Sequence, residues 1–184
     1  MGGLDHTTGS VSDNPFWDFS LAVYDSAGVA SACLALQDRH GVDVNVLLFC
    51  AWAGSCGHPL GPGDLAKLRT AAQPWQSAVI APLRAVRRQL KAMEGTPESA
   101  IGRLRSRIKG AELDAEAVEQ RLLFEGLAIA AGAGVPSLSG ANMIAYLAAM
   151  NVAVDAADVA DLATVLRGCY PDLPPLQAVW AVTG

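Results

Sequence analysis

"GVDVNVLLFCAWAG", residues 41–54, decides the fold. Asp43 stands where a helix N-cap belongs, and from Val44 to about Gly54 apolar residues cover every side of a helical wheel. A helix that is apolar all round belongs at the centre of a protein. Asn45 breaks the pattern in the first turn, and Trp52 lies beside it on the wheel. A buried amide without partners costs about 1–3 kcal/mol, so Asn45 is expected to be hydrogen-bonded.

Working outward, the elements on either side are also helical. In "DNPFWDF", Asn14 is positioned to cap and Pro15 suits the first helical position. Phe16, Phe19 and Val23 form one stripe, and Trp17, Leu21 and Tyr24 form another. Together they cover roughly 200° of the wheel, so this helix is expected to lie between two neighbours. Gly28 permits a break, "VASACLALQDRH" forms the second helix, and Gly41 closes it.

Beyond the central helix, "GSCGHPLGPG" is a loop. A helical region from Asp64 to Met93 follows, interrupted at Pro74 and kinked at Pro82. Thr96 and Pro97 are placed to start the next helix, which is basic first and acidic after Gly110. "SGANMIAYLAAM" and "DAADVADLATVLRG" read as a hairpin turned at Asn151 to Val154, with Asp155 as a cap. The final stretch, with three prolines, reads as extended. The expected architecture is an all-α compact bundle of about six or seven helices around the apolar helix near 44–54. Residues 1–13 read as a flexible leader, 14–135 as a helical core domain, 136–170 as a hairpin packed on it, and 171–184 as an extended tail.

Composition agrees with a folded core. The chain has 184 residues, 52% of them hydrophobic, and a net charge of −5. That size supports one domain, and the charge argues against bulk attraction to nucleic acid. The polar, glycine-rich start lacks the pattern of a secretory signal. The longest apolar run, Val46 to Ala53, is far short of the ~20 residues that span a bilayer. A cytoplasmic location without disulfides is expected, and homo-oligomerisation is left open.

Several segments in one order resemble a family of small bacterial proteins of unknown function. They are the W-x-F opening at Trp17 to Phe19, the C-L-x-L-Q-D segment from Cys33 to Asp38, and the V-N-x-L-L-F-x-x-W segment from Val44 to Trp52. The resemblance covers roughly residues 14–110. It implies no activity, substrate or catalytic residue.

Two candidate sites remain. The first is the polar point at Asn45, with Gln37 and Asp38 near the end of the second helix. Gln37, Asp38, a backbone carbonyl and the Trp52 ring nitrogen are its candidate partners. This group reads either as a clamp that fixes how helices meet, or as the floor of a small-molecule or enzyme pocket walled by Trp17, Tyr24 and Trp52. The second is a basic face. Between Arg84 and Lys109 stand eight Lys or Arg against Glu94 and Glu98. Arg84, Arg87, Arg88 and Lys91 share one side of a helix, either paired with Glu112 to Glu119 or free to dock an acidic protein partner. That docking role, in a non-enzymatic accessory protein without a cofactor, is the leading expectation.

Other chemistry has less footing. Asp155, Asp158 and Asp161 share a helical face, as in a magnesium-dependent diphosphate enzyme, with Glu112, Glu116 and Glu119 as the second acidic set such an enzyme needs. Cys50, Cys56 and His58, with His40, lack the paired spacing of a structural zinc site, so no metal is expected. No G-x-S-x-G, P-loop or dinucleotide fingerprint occurs.

Overall fold

In a computed structural model of the chain, residues 14–93 and 99–184 are described. They form α1 (Pro15–Tyr24), α2 (Val29–His40), α3 (Val44–Ser55), α4 (Pro62–Trp75), α5 (Ala81–Met93), α6 (Ala100–Gly126), α7 (Pro136–Ala149), α8 (Ala156–Cys169) and α9 (Pro175–Thr183). A single π turn, Gln76–Ile80, joins α4 to α5, so the described residues make eight separate rods with no strand. The fold is all-helical, close to the six or seven helices that the sequence implies.

The helix starts follow from local chemistry. Asn14 Oδ1 accepts the Trp17 N–H at 2.9 Å, with Pro15 behind it. Asp43 Oδ1 accepts the N–H groups of Asn45 and Val46 at 2.9 and 3.4 Å. Asp155 and Asp158 make a reciprocal capping box at the head of α8. Gly41 ends α2 at φ 67°, a left-handed conformation that glycine adopts without strain. Thr96 and Pro97 lie outside the described residues; α6 begins at Ala100, where Ser99 Oγ accepts the Gly102 N–H at 3.0 Å.

α3 is the centre. Every residue from Asn45 to Gly54 is buried, and α1, α2, α4, α6, α7 and α8 all pack against it. Phe16, Phe49 and Trp52 meet with ring centroids 5.0–5.5 Å apart, and Phe124 of α6 closes on Trp52 at 5.7 Å. α3 and α7 approach closely. A Cβ at Gly54 would sit 2.4 Å from Ser139 Cα, so only glycine lets the two backbones come this close. Polar groups on α7 tie the pair together: Ser139 Oγ donates to the Ala51 carbonyl at 2.8 Å, and Asn142 Nδ2 to that of Cys50 at 3.2 Å. One hydrophobic cluster runs through α3, α7 and α8, so the 136–170 hairpin completes the core rather than lying on a finished one.

Two expectations are corrected. The tail expected to be extended contains α9, with Ala178 and Val182 buried in the core. Its prolines start the helix instead of preventing it, because Pro174 sits at the cap and Pro175 at the first position, where no N–H is needed. The chain also continues as helix through Pro74. The irregularity comes later, in the widened turn before Pro82, whose missing N–H removes one ordinary helical bond.

Candidate functional site

A cavity of about 430 Å³ opens where α1, α2, α3, α5 and α6 meet. Its walls include Trp17, Leu21 and Tyr24 of α1, Leu34 and Gln37 of α2, and Leu113 of α6. Asn45 and Leu48 of α3 form the floor, and Gln120 of α6 joins them. Arg84 and Arg87 reach in from α5, beside Gln76 of the π turn. Four residues expected around a polar centre, Trp17, Tyr24, Gln37 and Asn45, are therefore brought together. Two are not. Trp52 packs among Phe16, Phe49 and Phe124 away from the cavity. Asp38 points outward, 64% exposed, and meets Arg88 at 3.4 Å.

The partners of Asn45 come from α6, not from the candidates near it in sequence. Asn45 Nδ2 donates to Glu119 Oε2 at 2.6 Å, and Gln120 Nε2 donates to Asn45 Oδ1 at 2.8 Å. Ser20 Oγ of α1 donates to Gln120 Oε1 at 2.7 Å. A buried polar chain, Ser20–Gln120–Asn45–Glu119, thus links three helices. Sequence reasoning missed Ser20, Glu119 and Gln120 as members. A signal existed: Ser20 lies between the apolar positions Phe16 and Val23, and Glu119 and Gln120 precede the apolar run Leu122 to Phe124.

Glu119 is fully buried and hydrogen-bonded to the Asp43 carboxylate. Burial pushes its carboxyl up to about 9, and the neighbouring Asp43 charge adds to the rise. Burial also raises Asp43 above its ordinary range. At neutral pH the Asp43–Glu119 pair therefore shares a proton. Glu119 Oε1 receives no donor from the described residues, and a proton there lets it donate to Asp43.

A second network rims the cavity. Arg84 donates to Gln37 Oε1 at 2.6 Å, to Glu112 Oε1 at 2.9 Å and to Glu116 Oε1 at 2.9 Å. Arg87 grips Glu112 through both Nε and Nη2. Burial raises Glu112, but the hydrogen bonds and charges of Arg87 and Arg84 outweigh it and hold this carboxyl below its usual value. For Glu116 burial wins, and its carboxyl is raised. The basic face is thereby split. Arg84 and Arg87 turn inward, with side chains 17% and 28% exposed. Arg88 and Lys91 stay on the surface.

The aspartates expected on the α8 face all have partners within the protein. Asp158 is fully buried and accepts Arg39 Nη2 at 2.7 Å and His40 Nε2 at 2.8 Å; Asp161 takes Arg39 at 2.6 Å; Asp155 caps α8. Glu112, Glu116 and Glu119 belong to the cavity networks and do not form a second acidic set opposite them. Among the described residues, no group of three or more His, Cys, Asp or Glu is arranged to hold a metal ion. No described histidine lines the cavity. The cavity offers hydrogen-bonding groups and aromatic side chains.

The chain is thus a one-core helical protein with a polar-floored cavity. It belongs to the family described as "Protein of unknown function (DUF2390)", which matches residues 15–123, from α1 through most of α6. No curated protein and no solved structure matches it. Among the described residues no single helix is long and apolar enough to cross a membrane.

Proposed function

We propose that the protein binds a small organic molecule in the cavity between α1, α3, α5 and α6. The observation that carries this reading is the ordered polar floor, Ser20–Gln120–Asn45, lying beneath an opening of about 430 Å³. Specific pockets combine apolar walls with a few fixed polar groups, and the opening falls in the usual size range for them. Trp17 and Tyr24 provide faces for a planar or cationic group. Gln76 lines the cavity, and its buried Oε1 accepts no hydrogen bond from the described residues. The Arg84–Glu112–Glu116 network holds the rim in position before any ligand arrives.

A heteronuclear NMR screen with a fragment library tests this. Fragments that join an aromatic ring to a hydrogen-bonding group are expected to shift the signals of Trp17, Gln37 and Asn45. Leu34→Trp, at a 42% exposed position on the rim, should abolish those shifts while leaving the fold intact. Absence of shifts at these residues, or shifts unaffected by Leu34→Trp, would overturn the reading.

A further inference from the structure

The α5–α6 arm has an apolar seam that nothing among the described residues fully covers. α5 is sharply two-sided, with Leu83, Val86, Leu90 and Met93 recurring every three or four residues, yet it contains no buried residue. α6 packs beside it. Along the two helices, Val86, Met93, Ile101 and Leu104 remain 43%, 65%, 36% and 45% exposed. A helix pair joined along one seam leaves just such a half-open groove, and a further helix is the shape that fills it.

The charge on either side of the seam selects the occupant. Lys91 and Arg107 are exposed on the arm, whereas Arg88 meets Asp38 at 3.4 Å and Lys109 lines the cavity. Arg84 and Arg87 are engaged with Glu112 and Glu116, so the cationic surface is Lys91 and Arg107 rather than the inner end of α5. A second copy of the arm would bring the same positive charges together, which opposes self-pairing. A membrane-seeking surface is typically rich in Trp and Phe, and none occurs between Leu83 and Lys109. An acidic helix with an apolar stripe matches both the groove and the charge.

We propose that the α5–α6 arm is a docking surface for an acidic amphipathic helix of a partner protein, held by the Val86–Met93–Ile101–Leu104 seam and steered by Lys91 and Arg107. The seam supplies the apolar anchor at its centre, and the cations form a rim that speeds encounter. This surface is separate from the cavity and does not depend on a ligand there.

The test uses the full chain and a fluorescent synthetic peptide that forms an amphipathic helix, leucine on one face and glutamate on the other, read by anisotropy. Saturable binding that weakens with salt is expected. Leu104→Ser, and separately Lys91→Glu with Arg107→Glu, should each weaken it about tenfold. These positions are exposed, and circular dichroism checks that each variant remains folded. Replacing every glutamate of the peptide with glutamine should weaken it similarly. No binding, or binding indifferent to both variants, overturns the proposal. So does stronger, variant-sensitive binding to phosphatidylglycerol vesicles, which would make the arm a lipid surface. A concentration-dependent dimer abolished by Leu104→Ser would replace the partner with a second copy.

Discussion

α3 and α5 both carry apolar residues and meet opposite fates. α3 has apolar residues on all sides and six helical neighbours, so nearly its whole length is buried. α5 concentrates its apolar residues on one side, and no residue in it is buried. The difference lies in pattern and in position together. An interior rod is covered from all directions, whereas an arm lying beside one partner keeps its outer arc in water. Apolar pattern sets which face seeks cover, and chain topology decides how much it receives. The cavity forms at the boundary between these regions, with its floor from α3 and its rim from α5 and α6.

The contrast can be broken by substitution, and the core should give the largest effects. Phe49→Ala should destabilise by about 3–5 kcal/mol in urea unfolding, since a fully buried ring leaves a void at the centre. Gly54→Ala should cost about 3 kcal/mol, because the new methyl meets Ser139 backbone rather than a movable side chain. Asn45→Ala should cost about 1–3 kcal/mol by leaving Gln120 and Glu119 without their shared partner. Met93→Ala on the arm should change stability by less than about 0.5 kcal/mol. A large loss at Met93, or a small one at Phe49, would erase the distinction between interior and arm.

The buried proton gives a prediction in pH. Glu119 is raised in the folded protein, so between its ordinary unfolded value and about 9 the folded state holds a proton that the unfolded state releases. This contribution is full in acid and is lost as pH rises through that window. The thermal midpoint should therefore decline from pH 5 to pH 9. Glu119→Gln, which cannot ionise, should flatten this decline. A slope unchanged in Glu119→Gln would show that the proton resides elsewhere.

Features written in neighbouring residues were legible in the sequence. The caps Asn14, Asp43 and Asp155, the closing Gly41 and the central place of α3 all follow from local pattern. Features that depend on distant residues were not. Asn45 clearly needed a partner, but nothing nearby indicates that Glu119, 74 positions away, supplies it. Pairing of Arg84 and Arg87 with Glu112 was one of two readings open in the sequence, and a helical wheel of α5 cannot choose between them. Trp52 shares a side of α3 with Asn45 on the wheel, yet Phe16 and Phe124 draw it into an aromatic cluster instead. In α9 the prolines masked a readable pattern, since Ala178 and Val182 already stand four apart.

The glycine contact between α3 and α7 also has a cost in time. The carbonyl of Ala51 waits for a hydroxyl 88 residues later in the chain. At synthesis rates of about 5–20 residues per second, roughly 4–18 seconds pass between the emergence of the two helices. During that interval the greasiest helix of the protein lacks this close neighbour. The nascent chain must keep that surface from other chains until α7 arrives, so its most vulnerable moment comes during synthesis rather than after the fold has closed.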